Sequence, residues 1–112
     1  MLTMTLEKLA KLLTEYQFWK VHPAAEEPLR RWARGIEKEA AWNNLEDVRE
    51  VFSSAEAVRL NDRRKVTVFN VGGNKYRVIT AIHYNRRKLY ILRVYTHAEY
   101  DRINWKEQLS RD

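Results

Sequence analysis

Between Lys65 and Thr96, polar and apolar residues alternate along three runs separated by two short turn segments. No other feature limits the fold as much, because alternation at a period of two fits strands buried on one face. In the run Lys65 to Val71, Val66, Val68 and Asn70 share one face, and Thr67, Phe69 and Val71 share the other. Gly72-Gly73-Asn74 then supplies residues that accept positive φ in a tight turn. Lys75 to Tyr84 follows, then Asn85 to Lys88 as a second turn, then Leu89 to Thr96. A weaker run, Val58 to Leu60, comes before them, with Asn61-Asp62 as turn chemistry. Sequential strands with short connections imply an antiparallel meander.

The first half has a different period. Leu6, Leu9, Ala10, Leu13 and Tyr16 fall at helical spacing, with Thr5 as a candidate cap. Pro23 restricts His22 and marks a boundary. A second helix carries the stripe Leu29, Trp32, Ala33, Ile36 and Ala40, and Pro28 fits best in its first turn, so it starts nearer Ala25. Asn44 with Asp47 resembles a capping box. It opens a short third helix with Leu45, Val48, Val51 and Phe52 inward. The expected fold is therefore α+β, with two to three N-terminal helices packed on one face of a small, mainly antiparallel sheet, giving two layers. One domain is expected over residues 1–112, with a helical half at about 5–53 and a sheet half at about 57–97.

Charge divides the same way. From Arg59 to Arg93 there are ten Lys or Arg and one acid, Asp62, a balance of +9; the remainder carries 11 bases and 14 acids, or −3. Such asymmetry calls for a polyanion, and RNA or DNA is the simplest candidate. The absence of Cys excludes a disulfide framework, a thiol nucleophile and a Cys-based zinc site. It agrees with a cytoplasmic protein. No apolar run approaches a membrane span, and MLTMTLEKLAKLL lacks the features of a signal peptide.

Topology brings chemistry together. Lys75 and Arg77 share a strand face; His83 shares their parity but lies further along. Arg93, Tyr95 and His97 share a face if the last strand stays regular, and Tyr100 and Asp101 follow at its end. Antiparallel pairing returns that end beside the Gly72–Asn74 turn, so Lys75, Arg77, His97 and Tyr100 should converge. Two cations, an imidazole and a phenol suit phosphodiester cleavage, because charge develops on phosphate oxygens and RNA carries its own 2′-OH nucleophile. No carboxylate cluster offers a Mg²⁺ site, so neither metal nor cofactor is expected.

Plainer readings stand beside these. His97 serves equally as a strand-end histidine, Tyr100 as a ring packed over a helix, and Lys75 as a solvated lysine. Asp101 reads as a structural partner of Arg77 or His97, and Asn74 as a supporting turn residue. Arg63, Arg64, Arg86, Arg87 and Lys88 are turn residues that each read as solubilising; together they are expected to hold ribosomal RNA or an acidic antitoxin segment, and with Lys65 and Arg93 they make up the expected RNA-binding set. His22 and His83 read as structural. The tryptophans read as core, with Trp105 exposed near the C-terminus.

FNVGGNKYRVITAIHY followed by YILRVYTHAEYD resembles the signature of HigB-type toxins, the host-inhibition-of-growth branch of the RelE-like mRNA interferases. HPAAEEPLRRWARGIEKEAAWNNLEDVREVFSSA is similar to that family's helical half, including Trp32 and Trp42. The resemblance covers roughly residues 22 to 104 and implies a RelE-like fold and a type II toxin that cuts mRNA, commonly on the ribosome, without metal. It implies a HigA-like antitoxin with a helix-turn-helix domain, which supplies operator DNA binding for the pair. By position, Lys75 and Arg77 match the family's basic strand, His97 the His of its TH motif, and Tyr100 and Asp101 the end of that motif. One departure is the start. The family usually opens with a short strand, whereas only Leu2–Met4 is available here ahead of a helix from about Thr5. A chain that binds RNA or an antitoxin without cutting, a decayed toxin, fits the same basic face.

Overall fold

Pro23 and Pro28 set how the helical region begins. Proline fixes φ and lacks an N–H, so it fits where a helix has no use for that donor. Pro23–Ala25 forms a single 3-10 turn that leads into α1 (Glu26–Lys38). Pro28 lies in the first turn of α1, and Glu26 and Glu27 place negative charge at its positive end. The structure, a computed structural model, describes residue 18 and residues 22–38, 42–86 and 88–111. The expected first helix, the candidate strand Leu2–Met4, Ala40 and Arg87 lie outside the described residues.

The inner stripe of α1 is Leu29, Trp32, Ala33 and Ile36, all buried. α2 (Leu45–Val51) is capped by Asn44, whose Oδ1 accepts from the Asp47 N–H at 3.0 Å. Asp47 reaches back one residue further than a capping box requires, accepting from the Asn43 N–H at 2.8 Å. Val51, expected inward, is 49% exposed. The helix ends there, and Phe52 leaves it with non-helical backbone and packs its ring against Trp42 and Phe69.

The four strands are β1 (Glu56–Arg59), β2 (Lys65–Val71), β3 (Tyr76–His83) and β4 (Lys88–Thr96). They form one antiparallel sheet in the order β1-β2-β3-β4. Phe69, Val71, Tyr76, Val78, Leu89 and Ile91 pack against α1 and Val48 of α2. Thr80, fully buried among them, donates its hydroxyl to the Thr67 carbonyl at 2.8 Å, which satisfies the group. The architecture is the expected α+β one, with α1 and α2 on one face of the sheet.

The second face is not bare. α3 (His97–Arg102) and α4 (Trp105–Arg111) follow β4 directly. Trp105 and Leu109 pack on Leu60, Val66, Val68 and Ile79, so Trp105 is 3% exposed rather than exposed as expected. No apolar stripe long enough to reveal this helix precedes it in the sequence. The β1–β2 turn fastens α4: Arg64 Nη2 donates to the Leu109 carbonyl at 2.9 Å, and the Asn61 N–H donates to Ser110 Oγ at 3.1 Å.

β4 contains a bulge. Arg93 pairs with Ile79 and Ile91 pairs with Thr80, leaving Leu92 as the extra residue. Both Leu92 and Arg93 therefore face away from α1, where regular alternation would have carried Leu89, Ile91 and Arg93 on one face. Among the described residues no helix is long and apolar enough to cross a membrane.

Candidate active site

Gly72, Gly73 and Asn74 adopt φ of 67°, 61° and 78° in succession. Only glycine, and less readily asparagine, takes such a path cheaply. The turn starts β3 in the register Asn70↔Arg77 with β2 and Arg77↔Tyr95 with β4. Arg77 thus sits between two strands and is 7% exposed.

β4 becomes a helix without a loop. Thr96 Oγ1 accepts from the Glu99 N–H at 3.1 Å, and Glu99 Oε1 accepts from the Thr96 N–H at 2.8 Å, a complete capping box. His97 is consequently the first residue of α3 and not a strand residue, as regular alternation had it. Its N–H donates to the Lys75 carbonyl at 2.8 Å, tying the start of α3 to the turn before β3.

Arg77, His97 and Asp101 form a chain of contacts. Arg77 Nη1 donates to the carbonyls of Asn74 at 3.1 Å and Tyr76 at 3.2 Å. Arg77 Nη2 lies 2.6 Å from His97 Nδ1. Arginine has donors only, so Nδ1 accepts this bond and the ring hydrogen sits on Nε2. Nε2 is 3.3 Å from Asp101 Oδ2, one helical turn on. Asp101 therefore partners His97, holding its ring from the side opposite Arg77.

Tyr100 completes the cluster. Its ring lies 5.6 Å from the Arg77 guanidinium carbon and 5.2 Å from the Trp105 ring. Burial pushes its hydroxyl pKa above the usual phenol value; Glu56 and Asp101 add to the rise and Arg77 opposes it. The phenol stays protonated through the neutral range and is a donor there. Glu56 was not among the sequence candidates. It stands opposite Val68, on the outer face, and only the β1–β2 register reveals this.

The remaining candidates scatter. Lys75 is exposed in the turn, and its backbone carbonyl is what touches His97. Arg63 is exposed, with φ of 73° in the β1–β2 turn. Arg64 is held by Asp62 Oδ2 at 2.7 Å as well as by Leu109, so it fastens α4. Lys65 is exposed at the start of β2. Arg86 and Lys88 are exposed at the far turn, some six residues along β3, or about 20 Å, from Arg77. Arg93 lies one pleat from Arg77 on the same face, its Nη1 donating to the Leu92 carbonyl at 2.7 Å. His83 stacks edge-on with Tyr90 at 5.4 Å, and His22 packs against Phe18 at 4.9 Å.

Fold and site together define a class: small basic α+β proteins with a cation, an imidazole and a phenol gathered where a sheet ends. Comparison with known proteins is consistent with this. Residues 25–103 match the family model HigB_toxin, described as the RelE-like toxic component of a toxin-antitoxin system, and the chain belongs to that family. Over 56 residues it is 41% identical to the mRNA interferase toxin HigB of Escherichia coli K12, covering 50% of this chain and 52% of the relative. The mRNA interferase HigB of Shigella flexneri matches to the same extent, 41% over 56 residues. That of Escherichia coli O6:H1 is 32% identical over 66 residues, covering 59% of this chain and 62% of the relative. The chain spans about half the length of the first two relatives.

Proposed function

We propose that this chain is the toxin of a toxin-antitoxin pair and an endoribonuclease that cuts mRNA by attack of the RNA's own 2′-OH. The observation that carries the reading is the Arg77–His97–Asp101 chain of contacts beside the protonated Tyr100. The 2′-oxygen bonds to phosphorus, the bond to the 5′-oxygen breaks, and the products are a 2′,3′-cyclic phosphate and a 5′-hydroxyl. One group must take the 2′-OH proton and another must protonate the leaving oxygen.

Asp101 holds the His97 hydrogen on Nε2 and leaves Nδ1 as the basic nitrogen. A phosphate at Arg77 competes for the N–H now given to Nδ1, so substrate binding releases the base as it engages the cation. Tyr100, a neutral phenol held beside Arg77, donates to the leaving oxygen. Acid–base work is assigned to His97 and Tyr100. Arg93 extends the cationic surface from the cluster, and Lys75 borders it.

The setting proposed is cytoplasmic, with mRNA cut on the ribosome. The partner is a HigA-like helix-turn-helix antitoxin, and operator DNA is bound only through it. α1 gives its apolar stripe to the core and its outer face is mixed in charge, pairing Glu27 with Arg31 and Arg34, which leaves no base-reading surface. The alternative, a chain that binds without cutting, draws support from one observation: Arg77 is 7% exposed and already donates within the chain. A 2′-deoxy substitution at the cut position decides between them. It is expected to block cleavage while binding persists, with EDTA having no effect on ribosome-free substrate. Efficient cutting of the deoxy substrate, or no cutting of any RNA by the folded chain, sinks the proposal.

A further inference from the structure

We propose that the groove beside β4 on the second face of the sheet is a nucleobase subsite for single-stranded RNA next to the cut bond. Its choice of RNA rests on the nuclease reading above. α4 covers the β1–β2 half of that face and leaves a trough of about 450 Å³ toward β4, open to solvent. Leu60, Val66, Ala81, Leu92 and Leu109 give it apolar walls and floor. Arg64, Lys65 and Arg93 are among its lining residues. Tyr90 lines it too, with its ring standing at 80° to that of His83, which fixes the plane of the phenol.

A planar, anionic ligand matches these chemistries. An aromatic ring beside an apolar floor takes a base, and flanking cations take the phosphates on either side. Arg64 is paired with Asp62, and Lys65 and Arg93 add cationic groups to the lining. The lining ends at Arg93, toward the proposed active site. Arg93 lies two residues along β4 from Tyr95, the partner of Arg77, or about 7 Å away. The bulge at Leu92 turns both Leu92 and Arg93 to this face, so apolar floor and cation arrive together.

The test is equilibrium binding of 3′-fluorescein-labelled hexauridylate to the full chain carrying His97→Ala, which stops turnover. Adding Tyr90→Leu is expected to weaken binding about tenfold, as the loss of one base–aromatic stack does. Its salt slope should be unchanged. Adding Lys65→Gln is expected to lower the slope of log affinity on log salt by about 0.7, one phosphate contact on a single strand. Tyr90→Phe keeps the ring and is expected to bind like its background, and thermal melts confirm that each variant folds. A folded Tyr90→Leu variant that binds hexauridylate within twofold of its background overturns the inference. So does one that keeps RNA binding and loses affinity for a protein partner. If the unsubstituted chain cuts no RNA but Tyr90→Leu still shows the tenfold loss, the groove stands and the nuclease reading falls. If it cuts RNA and Tyr90→Leu neither binds nor cuts differently, the groove falls and the nuclease reading stands.

Discussion

Replacing Arg77 with Lys keeps the positive charge and removes the fork. Arg77 uses Nη1 for two backbone carbonyls and Nη2 for His97 Nδ1, three contacts on three different groups. A lysine ammonium is a point charge that cannot span them at once. Hydrogen bonds from a charged donor contribute about 1.5–3 kcal/mol each, so leaving one buried acceptor unmet should lower stability by roughly that amount. The catalytic loss should be larger. Removing one donor that meets charge in the transition state costs about 2.7–4 kcal/mol, or 10²–10³ in rate. Arg77→Lys should thus remain folded at 25 °C and lose two to three decades of single-turnover cleavage, measured well below its melting temperature. Growth arrest on induction should disappear with it. A folded Arg77→Lys chain that cuts within about threefold of the parent refutes the argument, because charge alone would then suffice.

His97→Ala should abolish cleavage and leave the fold intact, whereas Asp101→Asn should slow it by only about tenfold, since the His97 and Asp101 side chains are 52% and 62% exposed and solvent screens their pairing; equal losses in single-turnover assays would contradict the assigned roles. Burial raises the hydroxyl pKa of Tyr84, with Asp47 adding to it and a Thr67 hydrogen bond opposing it, and burial raises Tyr100 in the same way. Above the unfolded value of 10.0 the unfolded chain loses these protons first, so stability is fully present below pH 10 and falls as pH rises through the folded values. Urea midpoints from pH 8 to 11 should show that fall, and Tyr84→Phe should lessen it. Gly72→Ala should destabilise by about 1–2 kcal/mol, because a Cβ there meets the Tyr76 ring at 3.0 Å at a φ of +67°, and Gly73→Ala, with open space around it, should cost less; the reverse order in thermal melts would contradict this.

The strands were legible because alternation and the Gly72-Gly73-Asn74 turn point the same way, and each boundary of β2, β3 and β4 falls within a residue of the pattern. The stripe Leu29, Trp32, Ala33 and Ile36 was legible for the same reason at period 3.6. α4 was not, since seven residues with two apolar positions carry too little periodicity. Sequence parity brought Arg77 and His97 to one end, but it made His97 a strand residue; the capping box Thr96–Glu99 was overlooked as a start signal. The turn cations could not be sorted by sequence. Whether Arg64 meets RNA or the end of α4 depends on residues 45 positions apart. Glu56 escaped notice because a four-residue edge strand gives no reliable parity until its partner is known.

The bulge at Leu92 means that β4 carries one residue more than its pairing with β3 needs. Deleting Leu92 would restore a regular pleat in which Arg93, Val94 and Tyr95 keep their present faces, so the second face would lose apolar surface while the site kept its orientation. A deletion or insertion beyond the bulge acts differently, because it turns every later side chain of the strand to the other face. Lineages descended from a common ancestor of this protein should accordingly lose the bulge residue more readily than they change the length of β4 between Arg93 and Thr96.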